Sequence, residues 1–564
     1  MQVHAKFKKH SRVEDLYFTD PVLVMTEQTH SLHAALEAGE RYMADGYYVI
    51  NAVTYESFDK ENEQFIIGVF SDAVDYRTFI SGRKISTYKM TEPDFTETRE
   101  QIIKNIQQVR EYIRDGHTYQ VNYTTRLRGN FYGDGHTLFE TLMSSNNGDY
   151  AMYIEYGDEQ LVSCSPELFF EIDQDRMIRT RPMKGTAPRG QDESEDDDNY
   201  RFLKESKKDQ AENVMIVDLL RNDLSKVAAK NSVNVPKLFT IEKYATVFQM
   251  TSTVEADLAD DMNITDIMEG LFPCGSITGA PKLSTMNIIN ALESTPRGYY
   301  CGTLGIMYPD GECVFNVPIR TLYIKGEDYV YGAGGGITYD SIPASEYDEI
   351  VDKTAFLKKA QFELIESMRL EDGRVPRLEY HAKRLAASAE TFDYKRADLI
   401  AAVGSYMEKM DISEGLYKLR VTQNRPGELV LSHTPIDDRK EGSAILYDEP
   451  IKAPPEFIEN KTTVRYHYKM PNDDFNIVLY YNEQQQLTEF NIGNIVISEN
   501  DKFYTPSEQT GILNGVMRQS LLDDGTIEEK DYSVDDFIEK YKNGRISLFM
   551  INSVRGWLQI RLTI

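Results

Sequence analysis

Cys274-Gly275-Ser276-Ile277-Thr278-Gly279-Ala280-Pro281-Lys282 sets two hydroxyl side chains among glycines and closes on a proline and a lysine. Glycine lets a ligand approach the backbone closely, and free N–H groups at a helix start, with hydroxyls beside them, form a cradle for a carboxylate. The stretch therefore predicts an anion-binding helix start contacted by Gly275, Ser276 and Thr278. Upstream, Arg181-Pro182-Met183-Lys184-Gly185-Thr186-Ala187-Pro188-Arg189-Gly190 places Lys184 in a tight backbone where its amine can reach a ligand. Downstream, Arg320 offers a bidentate charged contact. Glu346 and Glu349 lie three residues apart, on one side of a helix, with Lys353 one turn further on. Taken singly, a loop lysine or a helical glutamate is most often solvated surface; together these residues describe a site.

The rest of the chain bounds what that site serves. Its 564 residues exceed one core and predict two to four domains. A formal charge of −29 disfavours nucleic acid and anionic membrane, and requires local cations or a metal wherever an anion binds. The four cysteines form no CxxC pair and read as free thiols. There is no apolar signal core at the N-terminus, and no run approaches the ~18 residues of a transmembrane helix, so a cytoplasmic protein is expected. Tyr47–Val53 and Gln64–Phe70 predict strands, and Thr96–Asp115 an amphipathic helix closed by Gly116. The acidic run 191–199 predicts a solvated loop. A helix over 351–360 and a strand over 362–368 mark a restart near residue 360. Residues 379–410 read as helical, and 417–436 and 461–506 as strand-rich.

Seven segments, in order, resemble the chorismate-utilising family: Gly116–Asn122, Ser165-Pro166-Glu167, Ala211–Leu224, Cys274–Lys282, Ile319–Leu322, Gly334-Gly335-Gly336 and Glu346–Glu349. The lysine in Pro182-Met183-Lys184-Gly185-Thr186 resembles the aminodeoxychorismate synthase component I branch; relatives making anthranilate or isochorismate typically carry alanine there. The resemblance implies an α+β chain beginning with a chorismate-utilising α/β sandwich of antiparallel sheets over residues 1–360. It implies chorismate, a dicarboxylate, as substrate, Mg2+ held by Glu212 and Glu349 with Glu346 beside them, and substrate contacts from Gly275, Ser276, Thr278, Arg320, Gly335 and Lys353. Lys184 is implied as nucleophile and Glu167 as acid/base. One departure stands out: Gln249 occupies a place where the family usually has histidine, and a glutamine cannot carry a proton. No cysteine sits in a glycine-x-cysteine-x-glycine elbow, so ammonia would come from a separate glutamine amidotransferase subunit or from solution.

Residues 361–564 resemble the fold-type IV pyridoxal-phosphate enzymes, aminodeoxychorismate lyase in particular. The matching segments are Phe362–Glu366, His381–Ala389, Lys461–Arg465, Thr488–Ile495, Gly511–Arg518 and Asn552–Gly556. This implies a second, two-subdomain lyase- or aminotransferase-like domain. Lys461 would carry pyridoxal 5′-phosphate, Glu489 would face its ring nitrogen, Arg384 and the turn with Val516 and Met517 would hold its phosphate, and Ser553 would also bind the cofactor. Val464 and Met517 depart from the usual asparagine and threonine. The two halves would then run consecutive steps to p-aminobenzoate. The rival readings are an anthranilate synthase component I, or a synthase fused to an aminotransferase or to an inactive domain.

Overall fold

The computed structural model describes residues 1–563 except 11, 58–61, 82, 84, 145–147, 191, 245–246, 359, 411, 413 and 469–476. The chain divides into two units, one of Met1–Lys84 with Tyr88–Ala360 and the other of Gln361–Ile564 with the short segment Ile85–Thr87.

In the first unit, alternating and continuous apolar runs build two antiparallel ten-stranded sheets. One orders Gly279–Ala280, Gln120–Gly133, Asp328–Ile337, Thr321–Lys325, Glu159–Ser165, Tyr150–Tyr156, Gln2–Lys9 and Arg12–Phe18. The other runs from Met183–Pro188 through Val247–Asp257, Met177–Arg181, Leu168–Ile172, Cys313–Asn316, Thr303–Met307, Tyr48–Val53 and Phe65–Phe70 to Leu23–Thr26. Val3, Ala5, Met152 and Ile154 of the first sheet pack with Ile50, Ala52, Leu304 and Ile306 of the second. Helices cover the outer faces. Lys207–Leu224 is capped by Ser206 and buries Ile216, Val217, Leu220 and Leu224, the spacing of one apolar helix stripe. The result is an α/β sandwich with antiparallel sheets.

In the second unit, Leu364–Glu371, Leu416–Gln423 and Leu429–Pro435 form a three-stranded antiparallel sheet. An eight-stranded sheet follows, in which Leu487–Phe490 and Gly493–Glu499 pair as well. Its core gathers Leu479, Phe490, Ile495, Ile497, Phe537 and Leu548. Asp372-Gly373, both at positive φ, make the tight turn after the first strand.

Four local expectations need correction. The acidic run is not a loop: Asp192 caps a helix over Glu193–Glu205, and its glutamates and aspartate suit the positive end of the helix dipole. Asp196 also binds Arg189 through both carboxylate oxygens, at 2.6 and 2.8 Å. Gln191 lies outside the described residues. Residues 379–410 are two helices, Leu378–Thr391 and Leu399–Met410. The helix expected over 351–360 starts earlier, spanning Pro343–Lys358. Ser276 and Thr278 do not open an α-helix: Gly275–Ile277 is a 3₁₀ turn, and the helix begins at Lys282. All four cysteines are free and buried, and among the described residues no helix is long and apolar enough to cross a membrane.

Candidate functional site

The first unit holds a cavity of about 950 Å³ lined by, among others, Glu167, Lys184, Gln249, Ser276, Arg320 and Lys353. Lys184 reaches it from the edge strand Met183–Pro188. Gly185 follows at φ +85°, and a Cβ there would stand 2.8 Å from Asp209 Cβ, so the backbone conformation and the space both call for glycine. Gln249, on the neighbouring strand, clamps this turn: its Nε2 donates to Gly185 O at 2.7 Å and its Oε1 accepts from Thr186 Oγ1 at 2.8 Å. The glutamine thus positions the lysine turn where the family's histidine would stand. Burial lowers the Lys184 amine below the ordinary lysine range; Lys353 adds to this, while Glu167, Glu212 and Glu349 oppose it.

Glu167 is buried and accepts a 2.6 Å hydrogen bond from Ser276 Oγ. Burial raises its carboxyl above the usual carboxylate range, against the pull of Ser276 and Lys184. The 3₁₀ turn carrying Ser276 is pinned by Arg297, whose guanidinium donates to Ile277 O at 2.8 Å and to Asn122 O at 2.6 Å. Arg297 pairs in turn with Glu293 at 2.6 Å, and Glu293 with Arg126 at 2.8 Å, all three buried. Sequence reading missed this support because the three residues are ordinary surface types, scattered over 172 positions of chain.

The predicted contacts separate into groups. Ser276, Arg320 and Lys353 line the cavity, and Arg320 is exposed at positive φ. The Thr278 hydroxyl is fully buried, donating to Cys274 O at 2.9 Å and meeting Tyr55 Oη at 3.2 Å. Gly275 faces Leu219, where a Cβ would come within 2.6 Å. Gly335 leaves a gap beside the acidic helix: a Cβ there would stand 3.4 Å from Lys353 Nζ, 3.7 Å from Glu349 Oε1 and 3.8 Å from Glu346 Oε2. Lys353 donates to Gly334 O at 2.8 Å and pairs with Glu349 at 2.8 Å. Burial raises Glu349, but Lys353 and Lys208 outweigh it and hold the carboxyl low; burial keeps Glu346 high. Glu212, on Lys207–Leu224, sits 3.9 Å from Lys208. Oxygen donors beside a gap left by glycine fit a hard divalent cation that keeps most of its waters. Gln120, which lies in the Gly116–Asn122 segment and is not among the expected contacts, has a buried Oε1 without a hydrogen-bond partner among the described residues. Its amide nitrogen would lie 2.3 Å, and Lys184 Nζ 3.9 Å, from a Cβ on Gly336.

The second unit holds a cavity of about 370 Å³ lined by, among others, Arg384, Lys461, Glu489, Val516, Met517 and Ser553. Lys461 is fixed through its backbone, its carbonyl accepting from Ile365 N at 2.8 Å. Burial lowers its amine to about 7; Arg384, Arg465 and Lys418 add to the shift and Glu366 opposes it. Glu489 is buried in Leu487–Phe490, accepting from Tyr468 Oη at 2.9 Å and Leu513 N at 3.1 Å. Burial raises it to about 7 against those donors. Arg384 grips Glu366 through two nitrogens, at 2.9 and 2.6 Å, leaving its third nitrogen toward Asn514 O at 3.4 Å. Gly515 precedes the helix Val516–Asp523, which has no side-chain cap; a Cβ at 515 would strike Asn494 Oδ1 at 2.0 Å. The Met517 side chain packs with Val496, Ile527 and Ile551, so what it offers the cavity is backbone. Ser553 Oγ is buried without a partner among the described residues. A lysine of lowered pKa, a buried carboxyl, uncapped N–H groups and an orphaned hydroxyl fit a phosphorylated pyridine aldehyde.

Residues 83–359 match the chorismate binding enzyme family, and residues 363–563 the amino-transferase class IV family. Among curated relatives, aminodeoxychorismate synthase component 1 of Escherichia coli (strain K12) is 40% identical, over 45% of this chain and 56% of its own length. An anthranilate synthase component 1 of Haloarcula marismortui is 41% identical, over 47% of this chain and 54% of its own. The chain thus spans about half the length of these relatives, and overall identity does not separate the two activities. The menaquinone-specific isochorismate synthase of Escherichia coli shares the fold of the first unit, with a TM-score of 0.53 at 17% identity over 64% of this chain and 88% of that one.

Proposed function

We propose that this chain, which joins a chorismate binding enzyme domain to an amino-transferase class IV domain, makes p-aminobenzoate from chorismate in two consecutive steps. The observation that carries the reading is the Lys184 amine, its pKa lowered, opening onto the same cavity as Glu167 and Ser276.

In the first step the neutral Lys184 amine adds at C2 of chorismate, the ring double bond shifts, and the C4 hydroxyl leaves. Glu167, its carboxyl raised by burial, supplies the proton that turns this hydroxyl into water. Ammonia then adds at C4 and expels the lysine, giving 4-amino-4-deoxychorismate. Arg320 and Lys353 bring cationic charge to the substrate carboxylates in a chain of net −29. Glu349, with Glu212 and Glu346, would hold a Mg2+ ion, which would supply positive charge to neutralise and orient a substrate carboxylate. Ammonia comes from a separate glutamine amidotransferase subunit, since none of the four cysteines sits in a glycine-x-cysteine-x-glycine elbow.

In the second step Lys461 moves the proton from C4, and loss of pyruvate leaves the aromatic product. Pyridoxal phosphate, when bound, supplies an electron sink for that proton's loss. Glu489 would keep the ring nitrogen protonated, Arg384 and the uncapped helix start at Val516 would hold the phosphate, and Ser553 would add a hydroxyl. The protein works in the cytoplasm, without nucleic acid or membrane.

Product analysis with chorismate, Mg2+, ammonium and pyridoxal phosphate tests this, for the wild type and Lys461→Ala. Wild type is expected to release p-aminobenzoate and pyruvate, and the variant to accumulate aminodeoxychorismate. Anthranilate as the product would overturn the reading of Lys184. Aminodeoxychorismate accumulating in the wild type would overturn the lyase step.

A further inference from the structure

Away from both cavities, the strand Gln2–Lys9 and the helix Gly135–Ser144 bring three ligand atoms together inside the first unit. His4 Nδ1 lies 2.9 Å from His136 Nε2 and 3.2 Å from Glu140 Oε1, and the last two are 3.8 Å apart. The three residues are 0%, 4% and 7% exposed. They are the one group of three or more His, Cys, Asp or Glu ligand atoms, among the described residues, lying within 4.8 Å of one another. His136 and Glu140, four apart on one helix, share a face, the spacing by which helices commonly present a metal-ligand pair.

His4 Nε2 lies 2.7 Å from Asp15 Oδ1. A proton on Nε2 satisfies that contact and leaves the Nδ1 lone pair aimed at the lone pairs of His136 Nε2 and Glu140 Oε1. Such an arrangement is repulsive unless a positive centre sits among the three atoms. One proton can bridge a single pair of them, whereas a divalent cation serves all three. The local charge points the same way. Glu140 and Asp15 face one ammonium, Lys6, which is 3.5 Å from Asp15. The nearby Arg83 is engaged by Asp134 at 3.1 Å and Glu155 at 2.7 Å. The rings of Tyr17, Phe79 and Phe139 pack around His4 and hold its imidazole in place.

We propose that His4, His136 and Glu140 bind a structural divalent metal ion of the zinc class. Four tetrahedral donors at about 2.0–2.1 Å from an ion stand roughly 3.3 Å apart, a value the three separations bracket. Two imidazoles and one carboxylate select zinc-like ions over magnesium. The Asp15 carboxylate behind His4 is the outer partner that fixes a ligating imidazole's tautomer and direction. The ion ties the N-terminal strand to the helix and takes no part in either proposed reaction.

The test uses the full chain without a polyhistidine tag, stripped with a chelator and titrated with Co2+, which shows strong visible absorption when tetrahedral. One equivalent is expected to bind with those bands and to be displaced by one equivalent of Zn2+, with a higher Tm for the loaded protein. His136→Gln and Glu140→Gln are expected to weaken Co2+ binding at least ~10-fold, with circular dichroism confirming the fold, while Glu349→Gln leaves the bands intact. A wild-type protein that takes up no stoichiometric Co2+ or Zn2+ would show the cluster to be proton-bridged and overturn the proposal. Tetrahedral bands that survive in both His136→Gln and Glu140→Gln would overturn it as well.

Discussion

Lys461 offers the sharpest quantitative test, because its environment sets a number. With a pKa of about 7, about half of its amines are neutral at pH 7, against roughly one in 2,500 for a lysine of pKa ~10.4. The neutral, nucleophilic fraction is therefore raised about a thousandfold. Burial is the first cause, and two charges tune it in opposite directions: Arg384 lowers the pKa and Glu366 raises it. Arg384→Met should therefore move the midpoint up, and Glu366→Gln should move it down. The assay is modification by a small amine-selective reagent at a series of pH values, read by mass spectrometry on the peptide containing Lys461. The denatured chain provides the reference curve. The sign for stability follows from proton counting. Between pH ~7 and ~10.4 the unfolded chain holds a proton on Lys461 that the native chain has lost, so stability rises with pH across that window. Lys461→Met should flatten that rise in urea titrations of the cofactor-free protein. A native midpoint near that of the denatured chain, or both charge variants shifting it in one direction, would refute the reasoning.

Three further outcomes are expected. Gly335→Ala places a methyl group in the gap beside Glu346, Glu349 and Lys353 without a hard clash; the Mg2+ concentration for half-maximal first-step activity should rise about tenfold with Tm unchanged, and an unaltered Mg2+ requirement would count against the site. Gln249→Leu removes both hydrogen bonds to the Lys184 turn; losing about 1.4 kcal/mol of positioning slows the first step about tenfold in kcat and leaves the second step, assayed with aminodeoxychorismate, untouched. Glu293→Gln strands the buried guanidiniums of Arg126 and Arg297 and should cost about 3–5 kcal/mol in urea unfolding; a loss under about 1 kcal/mol would show that the cluster is not held by charge.

Much of the fold was legible along the chain, because strands and helices write their periods locally. Phe65–Phe70 reads as a buried strand and Arg99–Arg114 as a capped helix from their own residues. The acidic stretch misled because charge count signals solvation, while Asp192 as cap and the acidic first turn stabilise the helix Glu193–Glu205 through the dipole. The Cys274–Lys282 stretch misled in another way: its glycines and hydroxyls suggested a helix start, but Arg297 and Tyr55 draw the segment into a buried 3₁₀ turn.

By itself, the sequence determined which chemistry is available: a lysine beside glycine at 184, a second at 461, carboxylates at 167, 349 and 489, and a net charge that makes each local cation count. Only the tertiary structure decided the states of those groups. The desolvation that lowers Lys461 and raises Glu489, the 2.6 Å bond from Ser276 to Glu167, and the clamp from Gln249 to Gly185 all join residues far apart in the chain. So does the meeting of His4 with His136 and Glu140. Residue type sets what a side chain can donate, accept or lose, but dielectric and distance set whether it does, and both arise only when remote strands and helices pack together.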